Sequence, residues 1–206
     1  MNLWDFHSGL YQNFRHWYPF NIILEQENKN LFQLFYALKT IPSVVLDIGT
    51  GHANALQQLK QYLDTERVMK GLHEQTLFIG VDHSLEMLRC AAKNSDLELL
   101  KCDAHHLSFK ENLISLILVI GLVEYIPDLE GLFQEICRVL NKEGRIILTF
   151  SPHNIFFYLR FFLGKKLFRR SICTFEREIE AAGLIIEKKL TTFMQIQYLI
   201  KKQIVT

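Results

Sequence analysis

Cysteine is sparse: four residues at positions 90, 102, 137 and 173, with no C-x-x-C pair among them. That excludes a disulfide framework and the ligand spacing of a structural zinc site. The four read as small buried apolar side chains in a reducing compartment, and no metal is expected. Proline, with four residues, is too rare to build a linker, and there is neither an internal repeat nor a low-complexity tract. No charge of one sign dominates. The 23 basic and 22 acidic residues leave a net charge of +1, which gives no broad field for a nucleic-acid backbone. The opening MNLWDFHSG lacks a basic stretch followed by an apolar one, so no secretory leader is expected and the reading is cytoplasmic. The most apolar run, residues 113–123, falls short of the ~20 residues that span a bilayer and reads as a buried strand.

What is there suits a globular protein: hydrophobic residues make up 49% and charged residues 22% of the chain. The length predicts one domain over residues 1–206, large enough for a full core. Residues 1–40 look helical, with Leu31, Leu34, Phe35 and Leu38 at helical spacing before Pro42. Short β-branched runs then alternate with amphipathic ones. Strands are predicted at residues 43–48, 77–82, 97–102, 113–121 and 145–150. Helices are predicted at 53–63, 85–93 and 129–140, with a polar loop up to residue 71 and a turn at 141–144. This rhythm argues a parallel sheet wrapped by helices on both faces. The tail differs: a helix near 174–182 ends at Gly183, and residues 184–192 and 195–204 pair as two antiparallel strands.

In such a sheet, ligands sit at the carboxyl ends of the strands. Three acids close successive strands: Asp47, Asp82 and Asp103. The first is followed by Ile48-Gly49-Thr50-Gly51-His52-Ala53, a turn whose glycines let the backbone approach a ligand closely. The next helix aims free N–H groups at the same spot, which favours a carboxylate. A strand-end acid suits a ribose diol, and the third can accept from an exocyclic adenine amine. An isolated strand-end acid is more often a helix cap or a solvated turn; three in order, with the glycine turn, describe a pocket for an adenosine bearing an amino-acid tail.

The segments VVLDIGTGHA (44–53), FIGVDHSLEML (78–88), LLKCDAHHLSF (99–109) and LVEYIPDLEGLFQEICRVLNKEGRIILTFSP (122–152) carry a resemblance. The chain resembles the class I S-adenosylmethionine (SAM)-dependent methyltransferases, in the small-molecule branch that includes ubiquinone and menaquinone biosynthesis enzymes. The resemblance covers roughly residues 40–152. It implies an α/β, Rossmann-like, seven-stranded and mostly parallel sheet with an antiparallel last strand and helices on both faces. It implies SAM as cofactor, with Asp47, Gly49 and Gly51 bordering the methionine part and Asp82, with His83 beside it, on the ribose. Asp103 and Ala104 then meet the adenine, and Gly121 faces the reacting end. The division implied is an N-terminal lid (1–40), a SAM-binding core (41–152), a substrate cap (153–173) and a C-terminal helix and hairpin (174–206). The chain departs from the family in three places. Ala53 replaces the third glycine, a mild change; Glu143-Gly144 replaces Gly-Gly; and Glu124-Tyr125 replaces an acid–histidine pair.

The cofactor carries the chemistry, so the protein mainly aligns an acceptor in line with the S–CH₃ bond. A base is needed only where the acceptor must lose a proton. Candidates are His105, His106, Glu124 and His153, with Glu124 and His153 first because they sit on loops at the reactive edge; a loop histidine is more often structural. His52 packs near the cofactor, and Tyr11, Arg15 and Tyr18 line the lid. Residues 155–170, IFFYLRFFLGKKLFRR, combine five phenylalanines with paired bases. They read as a substrate cap, apolar inside and basic outside, or as a peripheral contact with anionic membrane. The partner expected is a small apolar or aromatic acceptor, with no nucleic acid: the (Asn/Asp)-Pro-Pro-aromatic and Pro-Cys motifs are absent after the fourth strand. The rivals are an NAD-dependent oxidoreductase and a non-catalytic SAM-binding scaffold. The oxidoreductase fingerprint needs a third glycine where Asn54 stands, and its ribose acid falls ~20 residues past the motif, well short of Asp82.

Overall fold

The computed structural model describes residues 20–38, 40–71, 73, 75–93, 97–152 and 167–203, the first five as backbone only. Its elements are α1 (Phe20–Tyr36), β1 (Val44–Ile48), α2 (Asn54–Lys70), β2 (Leu77–Asp82), α3 (Leu85–Ala92), β3 (Glu98–Lys101) and β4 (Ile114–Val119). A 3₁₀ turn (Val123–Tyr125) leads to α4 (Leu129–Val139), β5 (Leu140–Phe150), α5 (Ile172–Ala181), β6 (Leu184–Thr191) and β7 (Ile196–Lys202). The strands form one sheet in the order β3-β2-β1-β4-β5-β7-β6. Strands β1 to β5 pair in parallel, and β7 runs antiparallel to both β5 and β6. The seven-stranded sheet with its one reversed strand is the architecture that the motifs imply.

The central strands are apolar almost throughout because helices cover both faces. In β4, Ile114, Ile117 and Val119 face the core under α4 and α5, while Leu116 and Leu118 face the core under α1 and α2. On the first face Phe150 and Phe175 stack with centroids 4.2 Å apart, beside Phe133 and Tyr198. On the second, Phe32, Phe35 and Tyr36 of α1 pack around Tyr62 of α2.

Three expectations need correction. Helix α2 runs on to Lys70 instead of giving way to a loop after residue 63. Its last two turns bury nothing apolar: Val68 and Met69 are exposed. Ion pairs hold them, with Lys60 and Arg67 on Asp64 and Lys70 on Glu66, and left-handed Gly71 closes the helix by donating to the Arg67 and Val68 carbonyls. The turn at 141–144 lies inside β5. Leu140 already pairs with Ile114 and Arg145 with Leu116, so the four residues bulge between two bonded positions. Finally, all four cysteines are free but none is fully buried; Cys90 and Cys173 are exposed. No described helix is long and apolar enough to cross a membrane.

Phe175→Ala opens a hole in the larger core and is expected to cost ~3–5 kcal/mol of unfolding free energy. Val68→Ala, on the part of α2 held by charge, should change stability by less than ~0.5 kcal/mol. Urea titration of both variants checks the contrast.

Candidate cofactor and active site

Strand β1 ends in a turn with three left-handed residues: Gly49 (φ 71°), Gly51 (φ 53°) and Ala53 (φ 59°). The alanine keeps the glycine backbone, so the substitution is less mild than the sequence suggests. A side chain in that region costs ~1–2 kcal/mol, offset here by packing the fully buried methyl beneath α1 and α2. Gly49 and Thr50 both donate their N–H groups to the Val81 carbonyl, at 2.8 and 3.0 Å, tying the turn to the end of β2. Helices α3, α4 and α5 each start under a capping side chain: Ser84, Asp128 and Ser171. Helix α2 has no such cap, so its first N–H groups stay available to an anion.

Two acids converge on this turn. Asp82 Oδ2 accepts from Gly51 N at 3.0 Å and Oδ1 from Ser84 N at 2.8 Å. Each oxygen spends one lone pair on backbone and keeps another, which suits a vicinal diol. His83 stands beside it, Nδ1 3.4 Å from Oδ1, with its ring mostly in solvent. Asp47 is 2% exposed and accepts from the Thr50 hydroxyl at 2.7 Å. Burial pushes its carboxyl up to about 7; the Thr50 bond opposes the rise and the nearby Asp82 charge adds to it.

Asp103 lies one strand further out and is largely exposed. Its Oδ1 accepts from His105 twice, from the backbone N at 2.9 Å and from Nδ1 at 3.1 Å. These bonds hold the Asp103 carboxyl below the usual range. Ala104 is half-buried against the larger core, and His106 is exposed.

At the reacting edge, Gly121 (φ 66°) donates to Thr149 Oγ1 at 2.8 Å. Glu124 is not on an open loop, as expected, but 1% exposed within the 3₁₀ turn. Its Oε1 accepts from Ser151 N at 2.5 Å, and Oε2 has no hydrogen-bond partner among the described residues. The same turn is held from beyond the cap. Phe168 N donates to the Glu124 carbonyl, and Arg170 donates to the carbonyls of Val123, Ile126 and Pro127. Arg170, expected on a basic outer face, is thus turned inward, its side chain 9% exposed. Tyr11, Arg15, Tyr18, His153 and residues 153–166 of the cap lie outside the described residues.

The structure therefore gathers Asp47, Gly49, Gly51, Asp82 and His83 into one bonded cluster at the carboxyl ends of β1 and β2. Asp103 and Ala104 lie on the neighbouring loop, and Gly121 and Glu124 past β4. Thr50 and Thr149 were not singled out from sequence, and Arg170 was singled out only as an outward-facing base. Thr50 was legible inside the glycine turn, whereas nothing in the spacing of Thr149 or Arg170 marks its bond. Among the described residues no group of three or more His, Cys, Asp or Glu side chains is arranged to hold a metal ion.

A seven-stranded sheet of this order, with helices on both faces, defines a Rossmann-like α/β fold. The family described as "Methyltransferase domain" matches residues 46–148, half of the chain. A demethylmenaquinone methyltransferase of Thermotoga maritima is 32% identical over 119 residues, 57% of this chain and 48% of that protein. The chain's match thus spans about half the length of that curated relative. Two solved structures share the fold. Magnesium protoporphyrin IX methyltransferase of Synechocystis, with bound S-adenosylhomocysteine (SAH), has a TM-score of 0.67 at 13% identity, covering 88% of this chain and 84% of that one. Geranyl diphosphate C-methyltransferase of Streptomyces coelicolor has a TM-score of 0.68 at 12% identity, covering 85% and 80%. The chain belongs to this methyltransferase-domain family, and the motifs' resemblance to its SAM-dependent class I members implies SAM as the ligand to be tested against the site. The cradle fits: a Cβ added at Gly51 or Gly121 would meet nothing within 4 Å, leaving open space where the backbone must approach a ligand.

The Asp47 carboxyl gives a pH signature with a definite sign. Below about pH 4 both folded and unfolded chains hold its proton; between about 4 and 7 only the folded chain does. Its contribution to stability therefore falls as pH rises through that window, and the cost is fully present above it. Asp47→Asn keeps an acceptor for Thr50 and removes the ionisation. It should gain on wild type by ~2–4 kcal/mol between pH 4 and 7.5, read by chemical denaturation at each pH. Parallel profiles would show that Asp47 does not titrate there.

Proposed function

We propose that this protein transfers the methyl group of SAM to a small apolar or aromatic acceptor, mainly by holding the two in line. The observation that carries this reading is Asp82: a nearly buried carboxylate, oriented by Gly51 N and Ser84 N, with a lone pair left on each oxygen. In this reading those lone pairs accept from the ribose hydroxyls, with His83 flanking them. The uncapped start of α2, with Gly49 and Gly51, receives the carboxylate of the amino-acid tail, and Asp47 faces its ammonium. Asp103 and Ala104 meet the adenine. Gly121, kept in place by Thr149, leaves room at the reacting end.

SAM supplies a methyl group already activated by its sulfonium. The chain orients and excludes water, and alignment of this kind supplies several kcal/mol, up to ~7–11 in ideal cases. Glu124 is the described candidate for a base: its buried Oε2 has no hydrogen-bond partner among the described residues. The acceptor class is supported by the relatives' names, a quinone in one and a prenyl diphosphate or a porphyrin in the others. It is supported also by the phenylalanine-rich stretch at 155–170. We read residues 1–206 as one domain working in the cytoplasm, in keeping with its four free cysteines. A membrane contact through 155–170 has lost one of its bases, since Arg170 is committed to the 3₁₀ turn.

Calorimetry with SAH tests the cofactor half. Binding should raise the melting temperature, and Asp82→Ala should weaken it at least ~10-fold through two lost charge-assisted bonds. No binding to folded protein would overturn the reading, and binding of NADH instead would favour an oxidoreductase. For the acceptor half, Glu124→Gln with a demethylated quinone separates the two mechanisms. Alignment alone predicts a rate within ~10-fold of wild type; a base at Glu124 predicts a loss of ~10²–10⁴ at unchanged SAM affinity.

A further inference from the structure

The loop that follows β3 is fastened to α4 by two separate devices. In the first, Glu135 Oε2 accepts from Leu107 N at 2.8 Å, and Arg138 donates to the carbonyls of Leu107 and Phe109 at 2.7 and 2.8 Å while pairing with Glu135. That device fixes the far end of the loop. The second is His105. Its Nδ1 lies 3.1 Å from Asp103 Oδ1 and its Nε2 lies 3.0 Å from the Asp128 carbonyl oxygen. Both partners are acceptors, so the ring satisfies both only when both nitrogens carry hydrogen. The charged form is accordingly favoured. Burial alone pulls His105 down, but its bonds to Asp128 and Asp103 outweigh that and raise it above the ordinary value.

Helix α4 makes room for this ring. A Cβ at Gly131 would sit 3.2 Å from His105 Cδ2 and 2.6 Å from Asp128 Oδ2. The titratable groups around the ring are Asp103 and His106 on its own loop and Asp128 and Glu135 on α4, which together with Gly131 and Gln134 line one groove. Of the two Asp103 oxygens, His105 engages only Oδ1, through two donors; Oδ2 has no partner described.

Resting on the cofactor reading above, we propose that His105 is the positioning residue for base recognition: clamped between Asp103 and the Asp128 carbonyl, it fixes the Asp103 carboxylate so that Oδ2 selects an exocyclic amine. The ligand so selected is an aminopurine nucleoside, and the analogue refused is one with a carbonyl in place of the amine, which would set oxygen against carboxylate. A site built to bond a donor rejects an analogue lacking it far more strongly than a merely close-fitting one.

The test compares SAH with S-inosyl-L-homocysteine, which carries a carbonyl and an N1–H where SAH has the amine and a bare N1, by calorimetry on the full chain. Wild type should prefer SAH by ~10-fold or more. His105→Gln reaches Asp128 but not Asp103, and should reduce the preference by ~5-fold or more with a small change in melting temperature, because Glu135 and Arg138 still hold the loop. His105→Asn reaches Asp103 but not Asp128, and should keep more of the preference than glutamine does. In wild type the preference should shrink as pH rises from 6 to 8 and the ring loses its second hydrogen, a range in which the inosine N1–H keeps its proton; Asp47 ionisation affects both ligands alike and cancels in the ratio. A preference and pH profile unchanged in both variants would overturn the role of His105. Failure of wild type to bind SAH at all would instead overturn the cofactor reading. Should both variants unfold, Gly131→Ala, which crowds the ring without altering it, must reduce the preference, and an unchanged ratio there is equally fatal.

Discussion

Everything at the cofactor end depends on the parallel register between β1 and β2. Asp47 pairs with Gly80 and Ile48 with Val81, so Asp47 and Asp82 finish their strands two residues apart along the sheet. Only then can Asp82 Oδ2 reach Gly51 N across the strand gap, while the Val81 carbonyl takes the N–H groups of Gly49 and Thr50. The turn has to reverse within a few residues to present those donors, and that is why three left-handed positions cluster there. A register slip of one residue would turn every side chain of β2 to the other face and remove both the acid and its donor.

That register also sets the electrostatics. Bringing two carboxylates together in a nearly dry corner leaves at most one comfortable as an anion. Asp82 accepts from two backbone N–H groups, whereas Asp47 has only the Thr50 hydroxyl to set against its burial, and its carboxyl rises. A cationic tail group arriving beside Asp47 reverses the balance, because an opposite charge favours the ionised form. The site thus holds a proton on the group that a positively charged ligand would ionise, and folding and ligand binding pull on the same carboxyl in opposite directions.

How much of this was legible in the sequence follows from what periodicity can and cannot see. Strand positions, the order of the three acids and the glycine turn were readable, since each is a local pattern at a strand end. Helix α2 was cut short because its last turns bury nothing and announce themselves only through charges spaced three and four apart. The 141–144 turn was recognised but not its enclosure in β5, which depends on Leu140 finding Ile114 across the sheet. Arg170 was misread for the same reason. A base at the end of an aromatic run looks solvent-facing until its guanidinium is seen to reach the carbonyls of Val123, Ile126 and Pro127, more than 40 residues away. His105 was weighed as a base, whereas its two fixed acceptors leave the ring no free nitrogen for that task.

The two ends of the site are consequently built on different principles. The proposed cofactor contacts are projected from strand ends whose places the sheet dictates. The acceptor edge hangs on one short turn at 123–125, which Ser151 N holds from before the cap and Phe168 N with Arg170 from after it. Arginine suits the second anchor because a rigid fork of donors can serve several carbonyls at once, which a lysine point charge cannot do with fixed geometry. Ser151, Phe168 and Arg170 all lie outside residues 153–166, so these anchors do not draw on the side chains of that stretch. A fold arranged this way lets acceptor choice vary while cofactor binding stays constant. The same sheet in solved methyltransferases whose named substrates are as unlike as a porphyrin and a prenyl diphosphate fits that division.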